Sequence, residues 1–184
     1  MRIIGGQWRG TRLAEVGAGD PSAHLRPTSD RVREAIFNLL INGGYDTSVT
    51  DARVLDLFAG TGALGLEALS RGAAALTLVD DGPAARALIA KNIALCRTVA
   101  AHLRHDATRL PSNPGTPYSL IFLDPPYGKS LGEAALQSAL KSGWLATEAL
   151  VVWEEGSALP PPPGFAQLDQ RRYGDTYVTI LRAP

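Results

Sequence analysis

The chain has 184 residues, 45% of them hydrophobic and 20% charged, and its 18 basic and 18 acidic side chains leave a formal net charge of zero. That balance belongs to a folded domain rather than a disordered segment, and it excludes a whole-molecule field that would draw in a polyanion. The lone cysteine, Cys96, excludes a disulfide framework, fits a reducing compartment and reads as a small core residue.

Met1 to Leu13 reads as a short strand, a Gly5-Gly6 turn and a returning strand that carries Trp8 and arginines. The opening MRIIGGQWRG lacks the apolar stretch of a signal peptide, and no apolar run approaches the ~18 residues of a membrane span. A soluble cytoplasmic protein is expected. Glu15 to Leu25 is a Gly, Ala, Ser and Pro loop, and Pro27-Thr28-Ser29-Asp30 offers N-cap candidates. Val32, Ile36, Leu39 and Leu40 then recur at helical spacing until Gly43-Gly44. Residues 1–50 are therefore read as an N-terminal extension of β-hairpin plus helix, and residues 51–184 as the main unit.

From Arg53 the chain alternates. Strands are expected over Arg53–Phe58, Ala75–Val79, Val99–Arg104, Tyr118–Leu123 and Ala149–Trp153. Helices are expected from Gly62 to Arg71, after Pro83, and from a Ser130/Glu133 capping box to about Lys141. Phe165–Tyr173 and Thr176–Arg182, flanking Gly174-Asp175, read as a terminal β-hairpin. The predicted fold class is α/β: a Rossmann-like, mostly parallel sheet with an antiparallel C-terminal hairpin. Ligands of such sheets bind outside the carboxyl ends of the strands, where strand order reverses. Phe58-Ala59-Gly60, Asp80, Asp106 and Asp124 all fall on that rim.

Two motifs carry chemistry. Asp124-Pro125-Pro126-Tyr127 follows the apolar run Leu120–Leu123. Its prolines donate no N–H, and Pro126 keeps Pro125 out of the helical region, so the corner is stiff and extended. A carboxylate, a carbonyl and an aromatic face held there suit a planar group with an exocyclic amine, as in a nucleobase. Upstream, Asp56-Leu57-Phe58-Ala59-Gly60-Thr61-Gly62-Ala63-Leu64-Gly65 is a glycine-rich strand-to-helix turn that also satisfies GxGxxG. A dinucleotide enzyme is the rival reading. Against it, Asp56 would repel a pyrophosphate but attract a cationic amine or sulfonium, and hydride transfer has no use for the Asp-Pro-Pro-Tyr corner. S-adenosylmethionine accounts for both, with Asp56 near its amino group, Asp80 on the ribose and Asp106 near the adenine amine. Phe58, Ala59, Gly60, Thr61 and Gly62 would shape its cradle; Phe58 reads first as core.

Arginine supplies most of the positive charge, and Arg2, Arg9, Arg12, Arg26, Arg31 and Arg33 crowd the first 35 residues. Arginine suits planar contact with phosphates and bases, so with Trp8 these are the RNA-docking candidates. GC-rich coding bias is the plain alternative. His24, His102 and His105 lack metal-ligand company, and no metal is expected.

With these residues assembled, the chain resembles the RsmD family of bacterial 16S rRNA guanine-N2 methyltransferases. The resemblance covers nearly the whole length: Arg2-Ile3-Ile4-Gly5-Gly6 with Arg9-Gly10, Arg26-Pro27-Thr28, Arg31 to Asn38, Asp56 to Gly72, Asp124 to Tyr127, and Tyr173-Gly174-Asp175-Thr176. Asp80 departs from it, since the family often carries Glu there, and the tract Pro160–Pro163 has no assigned role. The resemblance implies methyl transfer from S-adenosylmethionine to the N2 amine of one guanine of 16S rRNA, free or in an assembling 30S subunit. The rival readings are a DNA adenine-N6 methyltransferase, which 184 residues leave without room for a target-recognition domain, and a non-catalytic RNA-binding protein that kept the fold.

Overall fold

The computed structural model describes residues 1–15, 28–46 and 49–184. The expected loop over 16–25, with Arg26 and Pro27, lies outside the described residues. The elements in chain order are α1 (Asp30–Asn42), β1 (Arg53–Leu57), α2 (Ala63–Ser70), β2 (Ala75–Val79), α3 (Pro83–Leu95), β3 (Ala101–Leu103), β4 (Tyr118–Leu123), α4 (Leu131–Lys141), β5 (Leu145–Glu155), β6 (Ala166–Tyr173) and β7 (Thr176–Arg182). They build one seven-stranded sheet in the order β3-β2-β1-β4-β5-β7-β6. β1 to β5 are parallel, and β7 and β6 close the sheet antiparallel. Strand order reverses between β1 and β4, which places the ligand crevice there.

Side chains alternate across the sheet, as strand geometry requires. Val54, Leu76, Leu78, Leu120, Phe122, Leu150, Val152, Val178 and Ile180 face one cluster, shared with Ile36, Phe37 and Leu40 of α1, Leu66 of α2 and Ile89 of α3. Leu55, Leu57, Val79, Ile121, Leu123, Val151, Trp153 and Leu181 face the other, with Ala135, Leu136 and Ala139 of α4. Ile3 and Leu13 belong to the first cluster, so the N-terminal segment is built into the same core as the sheet.

Two local expectations are corrected. The N-terminal hairpin is not two strands about a Gly5-Gly6 turn: a single antiparallel bridge joins Arg2 and Arg12, and residues 5–10 form the turn region between them. That region is spent on α2 instead. The Gln7 amide donates to the Ser70 carbonyl at 2.7 Å, and the Trp8 amide donates to Ser70 Oγ at 2.9 Å. The Ser130/Glu133 capping box does not form either, because Ser130 takes a left-handed backbone (φ 55°) and its side chain makes no cap bond. Ser29, by contrast, caps α1 by accepting from the Val32 amide at 3.2 Å.

Candidate active site

The glycine turn after β1 is built on left-handed backbone. Gly60 and Gly62 have φ of 56° and 77°, and so does Phe58 at 58°, a conformation that costs a bulky residue about 1–3 kcal/mol and collects at functional sites. Phe58 is half-buried against the α4-side cluster. Asp56 is 2% exposed and accepts from the Gly65 amide at 2.9 Å. A Cβ on Gly65 would stand 2.5 Å from Leu76 Cδ1 and 3.0 Å from Asp56 Oδ2. Gly65 is therefore what lets the first turn of α2 sit on Asp56. Asn92 of α3 ties this loop to the N-terminal segment, donating to the Thr61 carbonyl at 2.9 Å and accepting from the Ala14 amide at 2.7 Å.

Asp80, at the end of β2, spans the crevice. One oxygen accepts from the Gly60 amide at 2.9 Å and the other from the Gly82 amide at 2.8 Å. It remains half-exposed. Asp106 is used locally: it caps the 3₁₀ turn Ala107–Arg109 by accepting from the Thr108 amide and hydroxyl at 2.8 and 2.7 Å, and these bonds lower its pKa. It is exposed and follows the edge strand β3.

The Asp-Pro-Pro-Tyr corner leaves β4 next to this loop, since the Asp124 amide donates to the Leu57 carbonyl at 3.4 Å. Leu123 pairs with Trp153 in the β4–β5 register, so Asp124 and Glu154 stand side by side one residue further on. Both reach Thr28, whose Oγ1 lies 3.1 Å from Asp124 Oδ2 and 3.1 Å from Glu154 Oε1. Burial pushes the Asp124 carboxyl up to about 7, with the Thr28 hydrogen bond opposing and the Glu155 charge adding to it. Burial also raises Glu154 well above its ordinary value, and the neighbouring Asp124 charge adds to that. Asp56 is raised for the same first reason, its Gly65 hydrogen bond opposing and the charges of Asp124 and Asp80 adding.

Tyr127 is positioned by groups the motif does not contain. Its hydroxyl meets Thr176 Oγ1 at 3.4 Å, and a Cβ on Gly156 would come within 2.9 Å of its ring. Glu155 Oε1 accepts from the amides of both Gly128 and Gly156, at 3.1 and 2.9 Å. Tyr127 is 37% exposed. Pro125 is buried and Pro126 half-buried.

The arginines divide. Arg2, Arg9, Arg12 and Arg31 are exposed and Trp8 is half-buried; Arg2 lies 3.8 Å from Asp30. Arg33 is a correction. Its guanidinium is fully buried, bonded to Asp30 Oδ1 at 2.8 Å and to the Arg2 carbonyl, with Glu67 Oε2 3.7 Å away. It locks the N-terminal segment to α2 and presents nothing to a phosphate. Its helical position on the same face as Ile36 and Phe37 was the available signal. Glu154, Glu155, Glu67 and Asn92 escaped the sequence reading, in which Thr28 figures only as an N-cap candidate. For Glu154 and Glu155 a signal existed, two acids ending an apolar strand on the ligand-binding rim.

Comparison with known proteins fits this geometry. A family model described as Conserved hypothetical protein 95 matches residues 1–182. The chain is 42% identical over 166 residues to Ribosomal RNA small subunit methyltransferase D of Escherichia coli K12, covering 89% of this chain and 79% of the relative. The chain belongs to the RsmD family. The Haemophilus influenzae protein of the same name is 32% identical, with 95% of this chain and 89% of the relative covered. A solved Escherichia coli protein, yhhF, assigned as a methyltransferase, superposes with a TM-score of 0.83 at 38% identity, covering 100% of this chain and 97% of that one. The seven-stranded sheet with its reversed terminal hairpin is thus the Rossmann-like fold of the methyltransferases. Among the described residues no group of three or more His, Cys, Asp or Glu is placed to hold a metal ion, and no helix is long and apolar enough to cross a membrane.

Proposed function

We propose that the protein methylates the N2 amine of a guanine in 16S rRNA, free or within an assembling 30S subunit. Methyl transfer to rRNA from S-adenosylmethionine accords with the RsmD family membership; the guanine, the atom and the particle are the proposal. Bound S-adenosylmethionine supplies an electrophilic methyl group on a sulfonium. The residues present fit it: the charges of Asp124 and Asp80 both reach the buried Asp56 beside the glycine turn, a concentration of acids that favours a cationic ligand over a pyrophosphate. Asp80 and the Gly60 and Gly62 backbone would hold its ribose and amino-acid portion.

The observation that carries the reading is the adjacency of the two motifs, with the Asp124 amide bonded to the Leu57 carbonyl where the glycine turn begins. A base amine held by Asp124 and the Pro125 carbonyl therefore meets the cofactor crevice at the sheet's switch point. Each acceptor takes one N–H, drawing the nitrogen toward tetrahedral geometry and freeing its lone pair from the ring. Asp124 then receives the released proton. Holding both reactants in register contributes up to about 7–11 kcal/mol of the barrier. Tyr127 would stack on a base taken out of its helix, worth about 1–3 kcal/mol, and Arg9, Arg12, Arg2 and Arg31 would meet the backbone. Asp124→Asn tests this by turning one acceptor into a donor. We expect single-turnover methyl transfer to 16S rRNA to fall roughly a hundredfold or more, with calorimetric affinity for S-adenosylhomocysteine nearly intact. Nucleoside analysis of the wild-type product should yield N2-methylguanosine; methyl label in DNA adenine instead would overturn the assignment.

A further inference from the structure

Thr28 Oγ1 faces two carboxyl oxygens at the same distance, 3.1 Å to Asp124 Oδ2 and 3.1 Å to Glu154 Oε1. A hydroxyl has one proton to donate and lone pairs to accept with. It can serve one carboxylate; the second carboxyl must bring its own proton or stay an unpaired buried charge, beside a like charge that disfavours it. The two differ in setting. Glu154 is 1% exposed, whereas Asp124 is half-buried at the rim. Charge is better solvated on Asp124.

We propose that Glu154 holds the proton of this pair and, through Thr28, keeps the negative charge on Asp124 where the substrate amine arrives. The donors run in one direction: the Glu154 carboxyl O–H donates a hydrogen bond to Thr28 Oγ1, and the Thr28 hydroxyl donates to Asp124 Oδ2, leaving Asp124 Oδ1 for the amine. Glu154 is thus a positioning residue that never touches the substrate. The identity of that amine rests on the methyl-transfer reading; the location of the proton does not.

The charged groups facing the pair support this direction. Around Glu154 stand Asp124 from the end of β4, Asp56 from β1, Arg33 from α1 and the Thr28 hydroxyl. Glu155 adds its charge at Asp124, and Tyr127 feels the charges of Asp124, Glu154 and Glu155. Arg33 is the cation among them, and its short contacts go to Asp30 and the Arg2 carbonyl rather than to Glu154. A neutral Glu154 therefore avoids a second charge beside Asp124. When it ionises as pH rises further, Thr28 is contested by two acceptors and Asp124 loses its fixed orientation.

The test combines rates with infrared spectroscopy. Single-turnover methyl transfer to 16S rRNA and 30S subunits is followed across a pH series. Glu154→Ala and Thr28→Val should each lose roughly fivefold to tenfold near neutral pH, the contribution of one hydrogen bond, and the double variant no more than either. Glu154→Gln, whose amide N–H donates at every pH, should restore the neutral rate and retain it at the alkaline end where wild type declines. In infrared difference spectra taken above pH 7, where Asp124 is ionised, the C=O stretch of a protonated buried carboxyl should persist in Asp124→Asn and vanish in Glu154→Gln. A band lost in Asp124→Asn and kept in Glu154→Gln would place the proton on Asp124 and overturn the proposal, as would a Glu154→Ala rate equal to wild type. Failure of the function reading looks different: wild type would label neither RNA at any pH, with the infrared assignment unaffected.

Discussion

Glu67→Gln is the sharpest test of how the N-terminal segment is held. Glu67 is fully buried on α2. Its Oε2 accepts from the Ile4 amide at 2.8 Å, and its Oε1 from the Gly5 amide and Arg71 Nε, both at 2.8 Å. Glutamine keeps the volume but replaces one acceptor oxygen with a donor facing donors, and it removes the charge opposite Arg33 and Arg71. Arg33 retains Asp30 at 2.8 Å, so part of the loss is recovered locally. Breaking a buried ion pair from one side costs about 3–5 kcal/mol, and a domain of this size loses about 2–4 °C of Tm per kcal/mol. A fall on the order of 10 °C is expected by circular dichroism, with a matching drop in the urea midpoint. Because Arg9 and Arg12 stand on the segment that Glu67 anchors, RNA affinity measured well below the new Tm should fall too, while S-adenosylhomocysteine affinity holds. A Tm within about 2 °C of wild type would mean that the core contacts of Ile3 and Leu13 fix the segment and that the carboxylate is dispensable.

Two further outcomes are expected. Arg9→Ala with Arg12→Ala should weaken rRNA binding and reduce the slope of log affinity against log salt by roughly 0.7 to 0.9 per lost phosphate contact; an unchanged slope in a salt titration would move the RNA surface to Arg171 and Arg172. Asp124, with its carboxyl raised to about 7 by burial, should show opposite pH trends in activity and stability. Its proton-accepting form accumulates as pH rises through about 7, so the rate climbs there. A raised carboxyl stabilises the fold most below its unfolded pKa of about 3.9, and that contribution is lost as pH rises to the folded value. Asp124→Asn should therefore gain Tm relative to wild type at pH values above 7 and not at acid pH, checked by paired melts; a constant difference would show that Asp124 does not titrate in this range.

The sequence by itself determined the order of strands and helices, the parallel sheet, the terminal hairpin and both motifs, because each rests on local rules. Apolar runs of strand length, glycine turns and a Pro-Pro corner act over a few residues, and the carboxyl ends of the strands then place Asp80, Asp106 and Asp124 along one rim. What only the tertiary structure decided is which polar groups meet across the chain. Thr28 bridges Asp124 and Glu154 over sequence separations of 96 and 126 residues, and Glu67 grips Ile4 and Gly5 across 63 and 62. No periodicity encodes such pairings. For the same reason Arg33, one of several arginines in a row of similar ones, proved to be a buried lock while Arg31 two residues away stays on the surface. On a helix, two residues turn a side chain through more than half a revolution, so the same residue type faces the core at one position and water at the next.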